Sequence, residues 1–345
     1  MIVARVLDGG LFTTVQDLGR VGCLRYGVPP SGAMDRAACL AANALAGNLP
    51  GAAVLELTLV GPRLEFTAPA SIALAGANLG AHLDGEPFGC WRSASVLPGQ
   101  TLWFAGPEDG ARAYLAFLGG IDVPLVLGSR STYTRAGLGG LDGRPLAAGD
   151  RLEIAGDVPR VLAHAIRIDP AECPLYGHEH DIRVILGPQE DRFTPAGIAT
   201  FLSSTYKVGA GADRMGYRLA GPRIELANGA DIVSDGSPAG GVQVTGDGQP
   251  IVLMADRGTA GGYAKIATVV TVDTWRLSQA VPGDAVRFRE VTIAEARTAL
   301  YEHAAWLERI GSAVTDTASD ATAAAHRRRA AAAAAAAVAR ILAGR

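Results

Sequence analysis

Lysine is almost absent from this 345-residue sequence, which has only Lys207 and Lys265. Arginine supplies nearly all the positive charge, and the 31 basic residues are outnumbered by 34 acidic ones, for a net charge of −3. Proteins that bind nucleic acid usually carry a basic excess on one face or one segment. The composition therefore predicts no nucleic-acid partner.

Cysteine is also scarce, and no C-x-x-C pair occurs. The four cysteines are Cys23, Cys39, Cys90 and Cys173. Scattered cysteines indicate reduced thiols rather than a disulfide framework. The spacing of Cys173, His178 and His180 matches no common zinc site, so we predict no metal.

Long hydrophobic runs are missing as well. No uninterrupted apolar stretch reaches the roughly 18–20 residues that span a bilayer. The N-terminus, MIVARVLDGG, lacks the charged start and long apolar run of a signal peptide. We therefore expect a cytoplasmic protein without a membrane partner.

Several catalytic signatures do not occur. There is no G-x-x-x-x-G-K-[ST] phosphate loop and no G-x-S-x-G serine elbow. The glycine-rich stretches 137–143 and 209–214 do not lie in a strand–helix–strand context, so a dinucleotide fold is not indicated. A biotin-carrying lysine in an Ala-Met-Lys-Met-like turn is also absent.

Short apolar or alternating runs closed by Gly, Pro or Asp-Gly dominate what is present. They predict a mainly β protein of sandwich or barrel type. The clearest predicted strands lie in 57–66, 71–76, 101–106, 113–120, 181–188, 250–256 and 285–291. Helical patterns are few, and occur at 34–48, near 193–203 and from 292 onward.

Three landmarks recur in the same order, which indicates an internal duplication. GPRLEF, DGEP and PGQTLWF in the first half correspond to GPRIEL, DGQP and PGDAVRF in the second. The stretch 251–280 has no counterpart, and we interpret it as an elaboration of the second unit. We predict β-barrel-like units at 1–165 and 166–295, followed by a helical, Ala/Arg-rich tail at 296–345.

Five loops combine glycine with charge: 14–35, 128–140, 211–219, 235–244 and 255–265. Arginine forks and glycine N–H groups bind carboxylate or phosphate, and paired Asp and Arg residues serve as base and clamp. The predicted catalytic residues are Asp17, Arg20, Asp35 and Asp256. The predicted substrate- or nucleotide-binding residues are Ser31, Gly32, Arg130, Arg214, Gln243, Gly261, Gly262, Tyr263 and Lys265.

We expect these residues to line one cleft that holds a small anionic or polar substrate. A plainer interpretation stays open for some of them. Asp35 lies where a helix cap would lie, and Asp17 is close enough to Arg20 in sequence for a turn salt bridge.

The motifs in these loops resemble one known family. The matching motifs, in order, are QDLGR, G-V-P-x-S-G-A-M-D, GGIDVP with GSRST, DRMGYRL and GGYAKIATV. They are similar to those of the biotin-dependent carboxyltransferase-like proteins, also called the allophanate hydrolase subunit 2 family. The resemblance covers about residues 1–295 and leaves out the alanine-rich tail.

The resemblance implies tandem cyclophilin-like β-barrels and three possible functions. The first is the C subunit of an ATP-dependent 5-oxoprolinase, which opens the lactam 5-oxo-L-proline to L-glutamate with subunits A and B and is inactive without them. The second is the carboxyltransferase of a biotin-dependent urea or amide carboxylase. The third is a non-catalytic regulatory partner of a protein similar to the B subunit.

Overall fold

The computed structural model describes residues 1–155, 161–162 and 164–316. The helices are α1 Arg36–Ala46, α2 Pro195–Ser203, α3 Thr274–Ser278 and α4 Ile293–Asp316. The first eleven strands are β1 Ile2–Asp8, β2 Phe12–Gln16, β3 Val54–Thr58, β4 Arg63–Phe66, β5 Ala70–Asn78, β6 Ala81–Leu83, β7 Glu86–Pro87, β8 Arg92–Val96, β9 Thr101–Phe104, β10 Asp109–Phe117 and β11 Arg151–Glu153. The other nine are β12 Glu179–Leu186, β13 Thr205–Val208, β14 Gly216–Ala220, β15 Asp231–Gly236, β16 Gly241–Val244, β17 Pro250–Leu253, β18 Ala260–Tyr263, β19 Lys265–Val269 and β20 Ala285–Glu290. The predicted mainly β fold with few helices and a C-terminal helix is confirmed.

The chain divides into two compact units. Unit 1 consists of residues 1–19, 31–175 and 302–345, and unit 2 of residues 20–30 and 176–301. The boundary at 175/176 falls later than the predicted 165/166. Residues 20–30 group with unit 2, which the repeated landmarks do not indicate. The end of the predicted tail, from residue 317 onward, lies outside the described residues.

Unit 1 packs two sheets around one core. The strand orders are β11-β1-β4-β9-β6-β7 and β2-β3-β10-β5-β8. Side chains that alternate along each strand meet between the sheets, such as Leu64 and Phe66 from one and Ile72 and Leu74 from the other. This alternation follows from the two-residue period of a strand.

Helix α1 covers the other face of the five-stranded sheet. Ala73 and Ala75 of β5 point to this face and pack with Ala38, Ala42 and Leu45 of the helix. Both faces of β5 are therefore buried, which explains its nearly continuous apolar sequence. The small side chains allow the helix to lie close to the sheet.

Unit 2 contains a closed seven-stranded barrel with the order β12-β19-β16-β17-β14-β13-β20. A parallel pair between β12 and β20 closes it, and the remaining pairs are antiparallel. Phe201 of α2 stacks on Phe288 of β20 with ring centroids 4.5 Å apart, and Tyr206 packs beside both rings. β15 and β18 form a separate two-stranded antiparallel sheet outside the barrel.

Two of the three repeated landmarks adopt the same local structure in both halves. Gly85 and Gly248 both take positive φ in Asp-Gly turns, and β9 corresponds in sequence to β20. The third pair differs, because GPRLEF contains β4 whereas 221–226 contains no strand. The interpretation of 251–280 as an elaboration is wrong, since β19 is a barrel strand between β12 and β16.

Within the described ranges, no helix combines the length and the apolar character that a membrane crossing requires.

Candidate functional site

The Asp17 carboxylate, in unit 1, joins two of the predicted loops. Its Oδ1 accepts hydrogen bonds from the hydroxyls of Ser129 (2.6 Å) and Ser131 (2.5 Å) and from the Gly19 N–H (2.8 Å). Its Oδ2 accepts from the Arg130 N–H at 2.6 Å. Four donors therefore hold the carboxylate in place, three on Oδ1 and one on Oδ2. This arrangement favours a positioning role for Asp17 over that of a proton acceptor.

The Arg130 side chain is held beside a surface cavity of about 380 Å³. Its Nε donates to the Val123 carbonyl at 2.9 Å, and the cavity is also lined by Asp122, Pro124 and Leu125. The rest of its guanidinium makes no hydrogen bond to the described part of the protein. A guanidinium with unused N–H groups at a cavity can bind a carboxylate or phosphate.

Ser31 and Gly32 form a tight left-handed turn against the QDLGR loop. Their φ angles are 54° and 83°, and a Cβ on Gly32 would lie 2.8 Å from the Gly19 nitrogen. Ser31 is 3% exposed, yet its hydroxyl has no hydrogen-bond partner in the described structure. A strained non-glycine residue with an unsatisfied buried hydroxyl is typical of a functional site.

Asp35 caps helix α1, as the plainer interpretation of the sequence proposes. Its Oδ1 accepts from the Ala38 N–H at 3.0 Å. Its own N–H donates to the Tyr114 hydroxyl (2.7 Å), and that hydroxyl donates to Glu56 Oε2 (2.8 Å). Glu56 also accepts from the Met34 N–H at 2.8 Å. The whole network therefore holds residues 34–35 in place.

Sequence reasoning missed Glu56 and Tyr114. Glu56 is 1% exposed and Tyr114 is fully buried. Burial, and next the Glu56 carboxylate, hold the pKa of Tyr114 well above its usual value. The available signal was a glutamate inside the apolar strand VLELT, where a charge requires a partner.

In unit 2, Gln243 of β16 and Lys265 of β19 are paired across neighbouring strands. Residues directly opposite on antiparallel strands present their side chains on the same face. Gln243 is 7% exposed and Lys265 is 1% exposed. The Gln243 Nε2 has no hydrogen-bond partner in the described structure. Two buried donors of the predicted set are thus brought together.

Asp235 is the ionic partner of Lys265, with Oδ2 3.3 Å from Nζ. The Gly236 N–H, and then Lys265, lower the pKa of Asp235 below its usual value. Gln189 contacts both residues. Its Nε2 donates to the Asp235 carboxylate at 3.1 Å, and its Oε1 accepts from the backbone N–H of Lys265 at 3.1 Å. Asp235 and Gln189 were not predicted, because only the fold brings them to Lys265.

Gly261 leaves room beside this group for the Gln243 amide in its present position. A Cβ at this position would lie 2.5 Å from the Gln243 Nε2 and 3.4 Å from the Ser237 Oγ. The neighbouring Gly262 has more room, since its nearest contact would be at 3.6 Å. Tyr263, at the end of β18, is 40% exposed.

Arg214 and Asp256 form a buried ion pair, each with a side chain 6% exposed. Arg214 Nε and Nη2 donate to the two carboxylate oxygens at 2.8 and 3.1 Å. Asp256 N–H also donates to the Arg214 carbonyl at 2.8 Å. Arg257, next in sequence, donates from Nε to the Ser237 carbonyl at 2.7 Å. The ion pair holds the loop after β17 in place, and Arg257 connects that loop to Ser237, which lies beside Gly261.

The predicted site residues therefore divide between the two units. Unit 1 contains Asp17, Ser31, Gly32, Asp35 and Arg130, and unit 2 contains Arg20, Arg214, Gln243, Asp256, Gly261, Gly262, Tyr263 and Lys265. Arg20 is 1% exposed, and its N–H donates to the Pro30 carbonyl at 2.8 Å, which closes the loop 20–30. The single shared cleft stays a prediction.

His178 and His180, considered in the sequence as metal ligands, share the carboxylate of Asp284 instead. His178 Nδ1 lies 2.8 Å from Oδ1, and His180 Nε2 lies 3.2 Å from Oδ2. The Cys173 thiol donates a hydrogen bond to the Asp169 carbonyl. No group of three His, Cys, Asp or Glu side chains suited to a metal occurs among the residues that the structure describes.

The family follows from comparison with known proteins. A family model described as carboxyltransferase domain, subdomain A and B, matches residues 26–290. The chain belongs to this family. The resemblance that the loop motifs indicate is thereby confirmed.

Two kinds of relative are similar over most of the chain. The C subunit of 5-oxoprolinase from Escherichia coli is 36% identical over 306 residues, which cover 89% of this chain and 97% of that protein. Urea amidolyase of Lachancea kluyveri is 35% identical over 315 residues, which cover 85% of this chain but only 17% of that protein. The crystal structure of Kluyveromyces lactis urea carboxylase superposes with a TM-score of 0.83 at 32% identity, covering 90% of this chain and 29% of that one.

Proposed function

We propose that this protein is the C subunit of an ATP-dependent 5-oxoprolinase complex that opens 5-oxo-L-proline to L-glutamate. The observation that carries the proposal is the extent of the match to the 5-oxoprolinase C subunit, which spans 97% of the Escherichia coli protein. The urea enzymes share only one part of a much longer chain with this protein. The component role is thus favoured over that of a complete enzyme.

The chemistry that we assign to the chain is polarisation of an amide oxygen. Negative charge develops on the carbonyl oxygen of a lactam as a nucleophile adds to its carbon, and fixed donors in a dry site stabilise that charge. The Lys265 ammonium and the free N–H of Gln243 are two such donors on one face of the barrel wall. Asp235, 3.3 Å from Lys265 Nζ, restrains the ammonium in position.

ATP is assigned to the complex and not to this chain alone. A triphosphate is usually held by a run of glycine N–H groups with a nearby lysine, as in a phosphate loop. The described group at Lys265 instead offers two side-chain donors, which suit one oxygen atom. Arg130 is the residue of unit 1 best placed to bind an anion, through its unused guanidinium N–H groups.

We propose subunits A and B as the partners, a cytoplasmic location, and no activity of the isolated chain. The relative from Escherichia coli is named as one lettered subunit of 5-oxoprolinase, which implies further subunits. The test is reconstitution of the purified chain with subunits A and B. We expect ATP hydrolysis that depends on 5-oxoproline, and formation of glutamate, without added biotin.

A second candidate is the carboxyltransferase component of a biotin-dependent urea or amide carboxylase. The similarity to Kluyveromyces lactis urea carboxylase, with a TM-score of 0.83, favours it. Urea also presents a carbonyl oxygen that Lys265 and Gln243 would polarise. Carboxylation of urea with a biotin carboxylase partner, in the absence of glutamate formation, would support this candidate and contradict the first. A stable complex with the B subunit that has neither activity would indicate the regulatory function.

A further inference from the structure

A second cavity lies at one end of the six-stranded sheet of unit 1, where β1 and β9 end and β4 begins. Its volume is about 420 Å³, which falls in the range of small-molecule sites. Apolar side chains from β9 and from the turn before β4 form most of its wall, with one acidic and one basic residue at its edge. The lining residues are Asp8, Val60, Gly61, Pro62, Arg63, Trp103 and Phe104. None of them belongs to the candidate site described above.

The aromatic wall of this cavity is held in a fixed orientation. Trp103 stacks on His82 with ring centroids 4.2 Å apart and an interplanar angle of 8°. His82 Nδ1 is in turn 3.0 Å from the Gly80 carbonyl. The indole therefore offers a rigid apolar surface, which lowers the entropy cost of binding a ligand against it.

The two charged residues at the edge are neighbours but do not neutralise each other. Asp8 of β1 and Arg63 of β4 are paired in the strand register. Asp8 Oδ1 accepts from the Gly10 N–H at 2.8 Å, and Arg63 makes no side-chain hydrogen bond or ion pair within the described ranges. By contrast, Arg5 and Glu65 on the same sheet form an ion pair at 2.6 Å. The cavity thus presents a separate positive and a separate negative group.

We propose that this cavity binds a free α-amino acid with an apolar side chain. An amino acid carries its ammonium and its carboxylate on one carbon, so neighbouring acceptors and donors of opposite charge match both groups. The carboxylate pairs with Arg63 and the ammonium with Asp8. The apolar side chain lies against Trp103 and Val60, the latter 38% exposed. This site goes beyond the proposed function and does not depend on it.

The test is an NMR titration of the full chain with three probes. These are L-phenylalanine, L-phenylalaninamide, which lacks the carboxylate, and N-acetyl-L-phenylalanine, which lacks the ammonium. The signal to follow is the indole N–H of Trp103, one of four tryptophans, assigned with Trp103→Phe. A ligand of this size is expected to bind with Kd of roughly millimolar order. Each derivative should bind at least about tenfold more weakly, since each lacks one ionic contact.

Two variants that remove one charge each test which residue binds the carboxylate and which binds the ammonium of the ligand. In Arg63→Gln the preference for phenylalanine over its amide should fall to about one, and in Asp8→Asn the preference over the acetylated form should do the same. Matched controls are Arg151→Gln and Glu153→Gln, exposed residues of β11 in the same sheet, which should leave both preferences unchanged. The melting temperature of each variant checks its folding.

Two results would overturn the proposal. One is no shift of the Trp103 signal at phenylalanine concentrations about tenfold above the millimolar range. The other is binding with preferences that Arg63→Gln and Asp8→Asn do not change, which would show that the charges are not recognised.

Discussion

Gln243 and Lys265 lie opposite each other on β16 and β19, with both side chains more than nine-tenths buried. The amide nitrogen of one has no partner in the described structure, and the ammonium of the other has a half-exposed carboxylate as its ionic partner. A fold does not need two such donors side by side in a barrel wall, because each loses hydration on burial. A ligand oxygen would satisfy both.

Replacing Lys265 should separate activity from stability. We expect Lys265→Met to reduce turnover of the reconstituted complex about 10²-fold, the usual effect of removing one donor to a developing oxyanion. The melting temperature should stay equal or rise, since a buried ammonium is costly and the Asp235 side chain, 53% exposed, remains hydrated. The control is Lys207→Met, because Lys207 is the other lysine and is exposed. It should change neither turnover nor melting temperature. A large loss of stability with unchanged specific activity would assign Lys265 a purely structural role.

Adjacent glycines provide a matched steric test. In Gly261→Ala the new methyl group would lie 2.5 Å from the Gln243 Nε2, so the amide must move. Turnover should fall by about 10- to 100-fold, as is usual for displaced catalytic groups. Gly262→Ala has 3.6 Å of room and should retain nearly full turnover. Steady-state kinetics of complexes reconstituted with each variant gives the two turnover rates. Equal rates would show that Gln243 has no role in the reaction.

Asp35 is expected to act as a helix cap. Asp35→Ala should lower the free energy of unfolding by about 1 kcal/mol, since the Ala38 N–H loses its acceptor. Asp35→Asn retains an acceptor oxygen and should keep both stability and activity. Urea denaturation and turnover measure the two effects. If Asp35→Asn folds normally but is inactive, the carboxylate takes part in the chemistry and the cap is not its whole function.

A pH effect on stability is expected from Asp150. Arg144 donates to both of its carboxylate oxygens at 2.8 Å, and this contact is the largest cause that lowers the pKa of Asp150. A carboxylate whose pKa is lower in the folded state than in the unfolded state stabilises the folded protein. The stabilisation is complete at pH values above the unfolded pKa, about 3.9. It is lost as the pH falls through the folded-state pKa.

The melting temperature of Asp150→Asn should therefore lie below that of the wild type at neutral pH. The difference should shrink as the pH falls below about 4. Asp142→Asn is the control, because Asp142 is 76% exposed and 3.6 Å from Arg144. A difference that stays constant from neutral to acidic pH would contradict the ionic explanation.

Much of the fold was predictable because local patterns are strong in this chain. Strands β5, β10 and β12 overlap the predicted runs 71–76, 113–120 and 181–188, and α1 begins beside the predicted cap at Asp35. The short helix α3 was missed, since five residues contain too little of the helical period. Residues 221–226 repeat a strand sequence without forming a strand, because strand formation also requires a neighbouring partner strand.

The site was predictable only in part. Gly261 and Lys265 occur in the motif GGYAKIATV and Gln243 in the glycine-rich loop 235–244, and the structure brings them together. Asp235 and Gln189 carry no local mark of their role. Their contacts with each other and with Lys265 link positions up to 76 residues apart. Tyr114 likewise reaches Glu56 across 58 residues.

The β class, the starts of helices α1, α2 and α4 and the family motifs are readable from the sequence alone, because each depends on residues close together along the chain. Which charged and polar groups find partners depends on the folded structure. Asp17 accepts hydrogen bonds from four donors and Asp256 forms an ion pair with Arg214, whereas the Gln243 amide nitrogen is buried without a partner in the described structure. Burial and pairing depend on strands that meet across long separations, and no local pattern specifies which groups such a meeting leaves unpaired.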